Sequence, residues 1–278
     1  MSTQKADKLK NVLQSVPSGF IVDSAWLTSQ GVSRFLTQRY LESGWLERAG
    51  HGVFRRPAPE NSTRSETLDW KTGVLSAQHI MGYQLHVGGT TALNLQGHSH
   101  YLSLGTNASV WLYGDDTPNW LAKLPLNASL TLRKGTLFAD ATVGVNTESP
   151  STDETPNLPW NWALRMSSPE RAVLEALNEV PDHESFHGLD MIFEGLTNLR
   201  PKLLTALLEN CTKIKVKRLF FVFADRHNHA WRKRLNPDVF DLGSGDRALV
   251  RGGRLHPTYR IMVPSEFVPS KTEASDGA

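Results

Sequence analysis

The apolar positions of the first 57 residues keep a helical period and then change to alternation. From Lys5 to Gln14, Leu9, Val12 and Leu13 fall on one helix face, with Lys8 and Lys10 beside them. Pro17-Ser18-Gly19 is a turn, and Phe20-Ile21-Val22 is a short apolar run. Asp23 or Ser24 caps a second short helix through Trp26 and Leu27, which ends near Gly31. Ser33 caps a third helix, in which Leu36 and Tyr40, four apart, share the core face. Arg34, Thr37 and Gln38 fall mostly on the other side. Gly44 ends the helix, because glycine tolerates the left-handed conformation there. Trp45, Leu46 and Glu47 then alternate toward Arg48, Gly50 and Gly52 bracket His51, and Val53-Phe54-Arg55-Arg56 returns as a strand before Pro57. Helix, short strand, helix, turn, helix and hairpin is the order of a winged helix-turn-helix.

Downstream the pattern mixes both periods. Residues 58–66 (APENSTRSE) are polar and aperiodic, and read as a linker. Trp70 to Gln84 is helical, and a short helix starts at Thr90 or Thr91. Strands are predicted at 109–113, 129–133, 218–223 and 259–263, the third as a buried strand in Arg218-Leu219-Phe220-Phe221-Val222-Phe223. Residues 146–159 are rich in Pro, Ser and acids, and read as an exposed loop. Ser168-Pro169-Glu170 opens a helix with Ala172, Val173, Leu174 and Leu177 on its apolar side: serine caps, proline sits at the first position, and glutamate favours the dipole. Further helices are predicted at 185–196 and 200–210. The expected fold is therefore α+β, with a winged-helix domain at 1–60, a larger mixed α/β domain at 65–268 and a polar tail at 269–278.

Composition removes several classes. The single cysteine, Cys211, excludes an internal disulfide and any multi-cysteine zinc site, which makes a reducing cytoplasm the default compartment. No apolar run reaches the roughly 18 residues of a membrane span, and the start, MSTQKADKLKN, lacks a signal-peptide core. A net charge of +2 is too small to identify a partner, so its distribution matters more. Residues 1–57 carry Lys5, Lys8, Lys10, Arg34, Arg39, Arg48, Arg55 and Arg56 against Asp7, Asp23, Glu42 and Glu47. The cations cluster where a duplex would lie on a winged helix. Expected DNA-binding residues are Ser33, Arg34, Thr37, Gln38 and Arg39 on the helix, with Arg48, His51, Arg55 and Arg56 on the wing. The helix would read base edges and the wing would hold phosphate.

A second basic cluster spans 213–234, where Lys213, Lys215, Lys217, Arg218, Arg226, Arg232, Lys233 and Arg234 face only Asp225. On an extended strand, Lys213, Lys215 and Lys217 would share one face. Such a row attracts phosphate of DNA, RNA or nucleotide, or else it only solubilises a strand edge. Arg247, Arg251 and Arg254 could extend it, although the glycines around them have neither P-loop nor dinucleotide spacing. Asp225 with His227 and His229, and His98 with His100, could be read as metal ligands, but no third and fourth ligand is apparent. They read as ordinary hydrogen-bonding histidines. Cys211 reads as a small buried residue. No nucleophile elbow or Ser/His/Asp order has supporting context, so neither a catalytic group, a metal nor a cofactor is expected.

Five blocks carry a family resemblance: SGWLERAGHGVFRRP ending at Pro57, GGTTALNLQGHSHYL from Gly88, SSPERAVLEALNEVP from Ser167, LLENCTKIKVKRLFFVFADRHNHAW from Leu207 and LGSGDRALVRGGRLHPTYRIMVP from Leu242. Together, and in this order, they resemble the AbiEi-type antitoxins of type IV toxin–antitoxin systems over nearly the whole chain. The resemblance implies a two-domain repressor. Its winged helix would bind operator DNA at inverted repeats upstream of its own operon. Its C-terminal domain would counter an AbiEii-type nucleotidyltransferase toxin, encoded next door and held in no stable complex. The surface for that role is expected at Lys213, Lys215, Lys217 and Arg218, with Arg232 and Arg234 nearby. Two rivals stand beside this reading: a transcription regulator with a ligand-sensing C-terminal domain, and a nucleic-acid-processing enzyme. The second lacks a carboxylate cluster near Lys215 and Lys217.

Overall fold

The structure, a computed structural model, describes residues 3–58, 67–98, 109–146 and 162–269. Most of the polar 58–66 stretch, the acidic loop after Asn146, His100 and the tail from residue 270 lie outside the described residues. The fold is α+β, and the chain forms two compact units. The first comprises Met1–Val87, Ser103–Lys134 and Thr147–Arg165, and the second Gly88–Leu102, Gly135–Asn146 and Met166–Ala278.

The first unit opens with α1 (Thr3–Ser15), β1 (Ile21–Asp23), α2 (Ser24–Ser29), α3 (Arg34–Glu42), β2 (Glu47–Gly50) and β3 (Val53–Arg55). The three strands form an antiparallel sheet in the order β1-β3-β2, so β3 is central. Local chemistry explains the boundaries. Asp23 caps α2 by accepting from Trp26 N at 2.8 Å, and Ser33 caps α3 by accepting from Leu36 N at 3.3 Å. Gly44 ends α3 at φ +71°, and Gly52, at φ +70°, turns the wing. Val12, Val16, Phe20, Val22, Leu27, Val32, Leu36, Tyr40, Leu46 and Phe54 form the core of this winged helix, and Leu75 joins them from the next helix.

That next helix is α4 (Trp70–Leu75), and it continues as a π-helical turn over Ser76–Ile80. Its residues tie directly into the winged helix. Ser76 Oγ accepts from Ile21 N at 3.1 Å, and Trp162 packs edge-on against Phe20 at 5.5 Å. β4 (His86–Val87), β5 (Ser109–Tyr113) and β6 (Ser129–Arg133) complete the unit. β4 pairs antiparallel and β6 parallel to β5. The compact unit thus runs on past the 60–65 boundary expected from the polar linker.

The second unit is mainly helical: α5 (Gly89–Leu95), α6 (Pro169–Asn178), α7 (Phe186–Gly195), α8 (Pro201–Asn210) and α9 (Ile214–His227). Two short antiparallel pairs accompany them, β7 (Val145–Asn146) with β8 (Met166–Ser167), and β9 (Arg254–Leu255) with β10 (Met262–Val263). α6 begins as expected, with Ser168 accepting from Arg171 N and Pro169 at its first position. A buried pair locks this helix in place: Arg171 Nε donates to Glu175 Oε1 at 2.8 Å, both side chains 1% exposed. Glu175 also accepts from Gly89 N at 3.0 Å and Ser167 Oγ at 2.7 Å. Arg171 in turn donates to the carbonyls of Ala141 and Val143. Arg171 thus donates to three oxygens and Glu175 accepts from three donors, the kind of hydrogen bonding under which a buried pair is tolerated.

The strand expected at 218–223 is the middle of α9. Leu219, Phe220, Phe221 and Phe223 are all completely buried, packed with residues of α6, α7 and α8. A helix enclosed on all sides is apolar at every position, and in a short run that pattern equals the one of a central strand. The strand expected at 259–263 shortens to β10, after Arg260 takes a positive φ of 52°.

Candidate nucleic-acid interface

α3 presents two opposite faces. Leu36 and Tyr40 are buried, while Arg34, Phe35, Gln38 and Arg39 are exposed. The wing stays close to the helix pair, because Gly52 O accepts from both Ser24 N (2.9 Å) and Ser24 Oγ (3.0 Å) at the start of α2. A register shift between Arg48 and Gly50 kinks β2 just before the turn. Between α2, α3 and the wing lies a groove of about 850 Å³. Arg34, Thr37, Gln38, Arg48 and His51 all line it, together with Phe35, Thr28 and Phe54. The Arg48 guanidinium lies 5.9 Å from the centre of the Phe54 ring. Ser33 serves as the helix cap, and its exposed position flanks the same face.

Other expected residues have different places. Thr37 is buried, and its hydroxyl donates to Ser33 O at 3.2 Å, which leaves little of it for a base. Arg56 points inward: it donates to the carbonyls of Leu13 and Val16, so it fastens the end of α1 to the strand. Arg55 is half-buried on a separate, smaller pocket with Glu47, Arg48, Leu68 and Leu124, and its Nε is buried with no hydrogen-bond partner. Of the three arginines expected to hold phosphate, Arg48 lines the groove, and Arg55 and Arg56 do not. One exposed residue was missed: Phe35 is 68% exposed. Its signal was available, since Phe35 sits about 100° around the helix from Leu36 and is off the Leu36–Tyr40 stripe.

The second basic cluster does not form a row. On a helix, Lys215 points away from Lys213 and Lys217, which are four apart. Lys213 is exposed, but Lys215 Nζ donates to Asn178 O at 2.7 Å and Val180 O at 2.8 Å. Burial lowers the pKa of Lys215. Lys217 is only 6% exposed. Arg218, 2% exposed, donates to four backbone carbonyls, those of Leu242 (2.6 Å), Gly245 (2.8 Å), Arg260 (2.7 Å) and Gly243 (3.0 Å). Arg232 pairs with Asp225 at 2.6 Å and donates to Leu235 O, whereas Arg234 is exposed. The three lysines expected on one face do not share one: Lys215 and Arg218 bind backbone carbonyls, and Lys217 is buried.

The histidines have hydrogen-bonding roles. His227 Nε2 lies 2.7 Å from Asp190 Oδ1, and His229 Nε2 is 2.8 Å from Phe193 O. Asp225 accepts from Tyr259 and Arg232. Among the described residues no group of three or more His, Cys, Asp or Glu could hold a metal ion. Cys211 is buried, and burial pushes its thiol pKa up.

Two family models cover the chain. Residues 5–104 match the transcriptional regulator AbiEi antitoxin N-terminal domain. Residues 107–264 match the transcriptional regulator AbiEi antitoxin of type IV toxin–antitoxin systems. The chain belongs to the AbiEi antitoxin family. Its fold is also similar to that of the RV2827C protein from Mycobacterium tuberculosis, with a TM-score of 0.53 at 14% identity, over 94% of this chain and 92% of that one. Comparison with curated proteins finds no match. Membership places the groove of α3 and the wing in the N-terminal domain of a transcriptional regulator, and α6 to α9 of the second unit in the region matched by the antitoxin model.

Proposed function

We propose that this antitoxin represses its own operon by seating α3 in the major groove of operator DNA, at inverted repeats upstream. The observation that carries the reading is the convergence of Arg34, Gln38, Arg48 and His51 on one groove. Arg34 and Gln38 are side chains of the kind that read guanine and adenine edges, and Arg48 supplies a phosphate contact from the wing. The C-terminal unit counters a nucleotidyltransferase toxin of the AbiEii type, with no stable complex between them. Both activities are binding activities exercised in the cytoplasm, with no catalytic step by this chain. Among the described residues no helix is long and apolar enough to cross a membrane.

Two assays test the halves separately. A mobility-shift titration on the upstream region should give a specific complex, and Arg34→Ala should weaken it while leaving the weaker binding to random duplex nearly unchanged. Equal affinity of the wild-type chain for upstream and random DNA would refute autorepression. Co-expression with the neighbouring nucleotidyltransferase should restore growth, and continued growth arrest with soluble antitoxin present would refute the second half.

A further inference from the structure

Phe35 is the feature of the groove that charge alone does not explain. It is the second residue of α3, next to Arg34, and 68% exposed. Phenylalanine is among the residues that normally go inside, and this one sits on a helix whose core face is already filled by Leu36 and Tyr40. Its ring is not left to wander. The Arg39 guanidinium, one turn further on, lies 5.9 Å from the ring centre. Gln38, three residues on, lines the same groove. Side chains at the start of a helix lean toward its N-terminus, and in helix-turn-helix proteins those residues reach the base edges.

A phenyl ring carries no donor and no acceptor, so it cannot read the hydrogen-bonding pattern of a base pair. The major groove offers one apolar feature that varies with sequence, the 5-methyl group of thymine. The cations around the ring make a polyanion the matching occupant: Arg34 and Arg39 flank Phe35 on the helix, and Arg48 faces the same groove from the wing. We infer that Phe35 is a specificity-determining residue that contacts the methyl group of a thymine in each operator half-site, between the base contacts of Arg34 and Gln38. The inference rests on the DNA-binding reading above, and adds to it the chemistry of one base.

The test uses the full chain and the upstream duplex. Each thymine within the segment footprinted by the wild-type protein is replaced singly by deoxyuridine, which removes only the methyl group. Affinities of wild-type and Phe35→Ala proteins are then measured by fluorescence anisotropy. Phe35 is exposed, so Phe35→Ala should keep the wild-type melting curve. At one thymine per half-site, deoxyuridine should weaken wild-type binding about three- to tenfold, the effect of one methyl contact. Phe35→Ala loses the contact in both half-sites, so it should lose about the square of that factor on the natural sequence, roughly ten- to a hundredfold, bind random duplex as before, and be indifferent to deoxyuridine at that position. If every deoxyuridine duplex binds the wild type like the natural one, or if Phe35→Ala keeps the wild-type sensitivity, the assignment is wrong while DNA binding stands. A wild-type protein with no preference for the upstream duplex would remove both readings. Should Phe35→Ala instead turn a sedimenting dimer into a monomer and weaken all sequences equally, Phe35 is a contact between two copies of the chain and the thymine assignment fails.

Discussion

Tyr83 donates its hydroxyl to Asp23 at 2.5 Å, and Asp23 is the cap of α2, the helix that precedes α3. Trp120 Nε1 donates to the same Asp23 oxygen at 3.2 Å. One carboxylate therefore holds three groups from distant parts of the first unit: the start of α2, the end of the segment after α4, and the stretch between β5 and β6. Asp23→Ala should cost more than the ~1 kcal/mol of an ordinary lost cap, roughly 2–3 kcal/mol in all, since two half-buried donors lose their acceptor as well. Differential scanning calorimetry of the two proteins checks the difference.

The same contact gives an alkaline limit. Burial first, and then the hydrogen bond to Asp23, raise the Tyr83 pKa from 10.0 to about 12. A group whose folded pKa is raised contributes its stability below the unfolded value and loses it as pH climbs through the folded one. For Tyr83 the loss should run between pH 10 and about 12. Tyr83→Phe should be less stable than wild type at pH 8, and the gap should narrow across that range. Melting temperatures by circular dichroism at pH 8, 10 and 11.5 would decide it, and a gap of constant size would count against the argument.

A chain beginning near residue 65 should fold poorly. It would keep Tyr83 and Trp120 without Asp23, expose Leu75, and leave Ser76 Oγ without the Ile21 amide it accepts. The expected outcome is a lower melting temperature or aggregation, read by light scattering against the full chain. A truncated protein that is soluble and melts like the full chain would show that the winged helix is a separable appendage.

The wing arginines should divide by what they touch. Arg56→Ala removes donors from the carbonyls of Leu13 and Val16 and should cost about 1.5–3 kcal/mol of stability, since hydrogen bonds from charged groups are among the stronger ones. Arg48→Ala should leave the melting curve within a degree or two and weaken binding to all duplexes, lowering the salt slope by about 1. An Arg56→Ala protein as stable as wild type, or an Arg48→Ala protein with an unchanged slope, would reverse this division.

This division was only partly legible in the chain. Ser33, the Leu36–Tyr40 stripe, Gly44 and Gly52 are local signals, each set by its own neighbours, and all of them lie where the sequence places them. Arg56 and Arg218 bind carbonyls of Leu13 and Leu242, 43 and 24 residues away along the chain, so no local pattern separates them from solvated arginines. Thr37, expected on the free face, is buried for a different reason. Its hydroxyl turns back on its own helix, a habit of threonine that sequence position does not reveal. α9 was missed because burial on every side erases the helical period.

If the second unit counters a toxin through basic charge, as proposed, the cations to test are those exposed at its surface. Reversing Lys213, Lys215 and Lys217 together would bury two carboxylates, at Lys217 and against the carbonyls of Asn178 and Val180, and would measure unfolding. Arg218→Ala is the structural control: four carbonyls lose their donor, about 3–5 kcal/mol should be lost, and any failure to rescue growth should track the fall in soluble protein. Lys213 stands exposed at the start of α9, and Lys233 with Arg234 stands exposed beyond its end. The two groups lie on different elements, so each is reversed in its own variant. Lys213→Glu is expected to leave the melting temperature and operator binding unchanged, and so is the pair Lys233→Glu with Arg234→Glu. If an anionic substrate or acidic patch of the toxin meets this unit through one of these groups, only that variant should lose growth rescue at normal expression. Full rescue by both, with each protein folded, would remove basic charge at either end of α9 from the antitoxin mechanism.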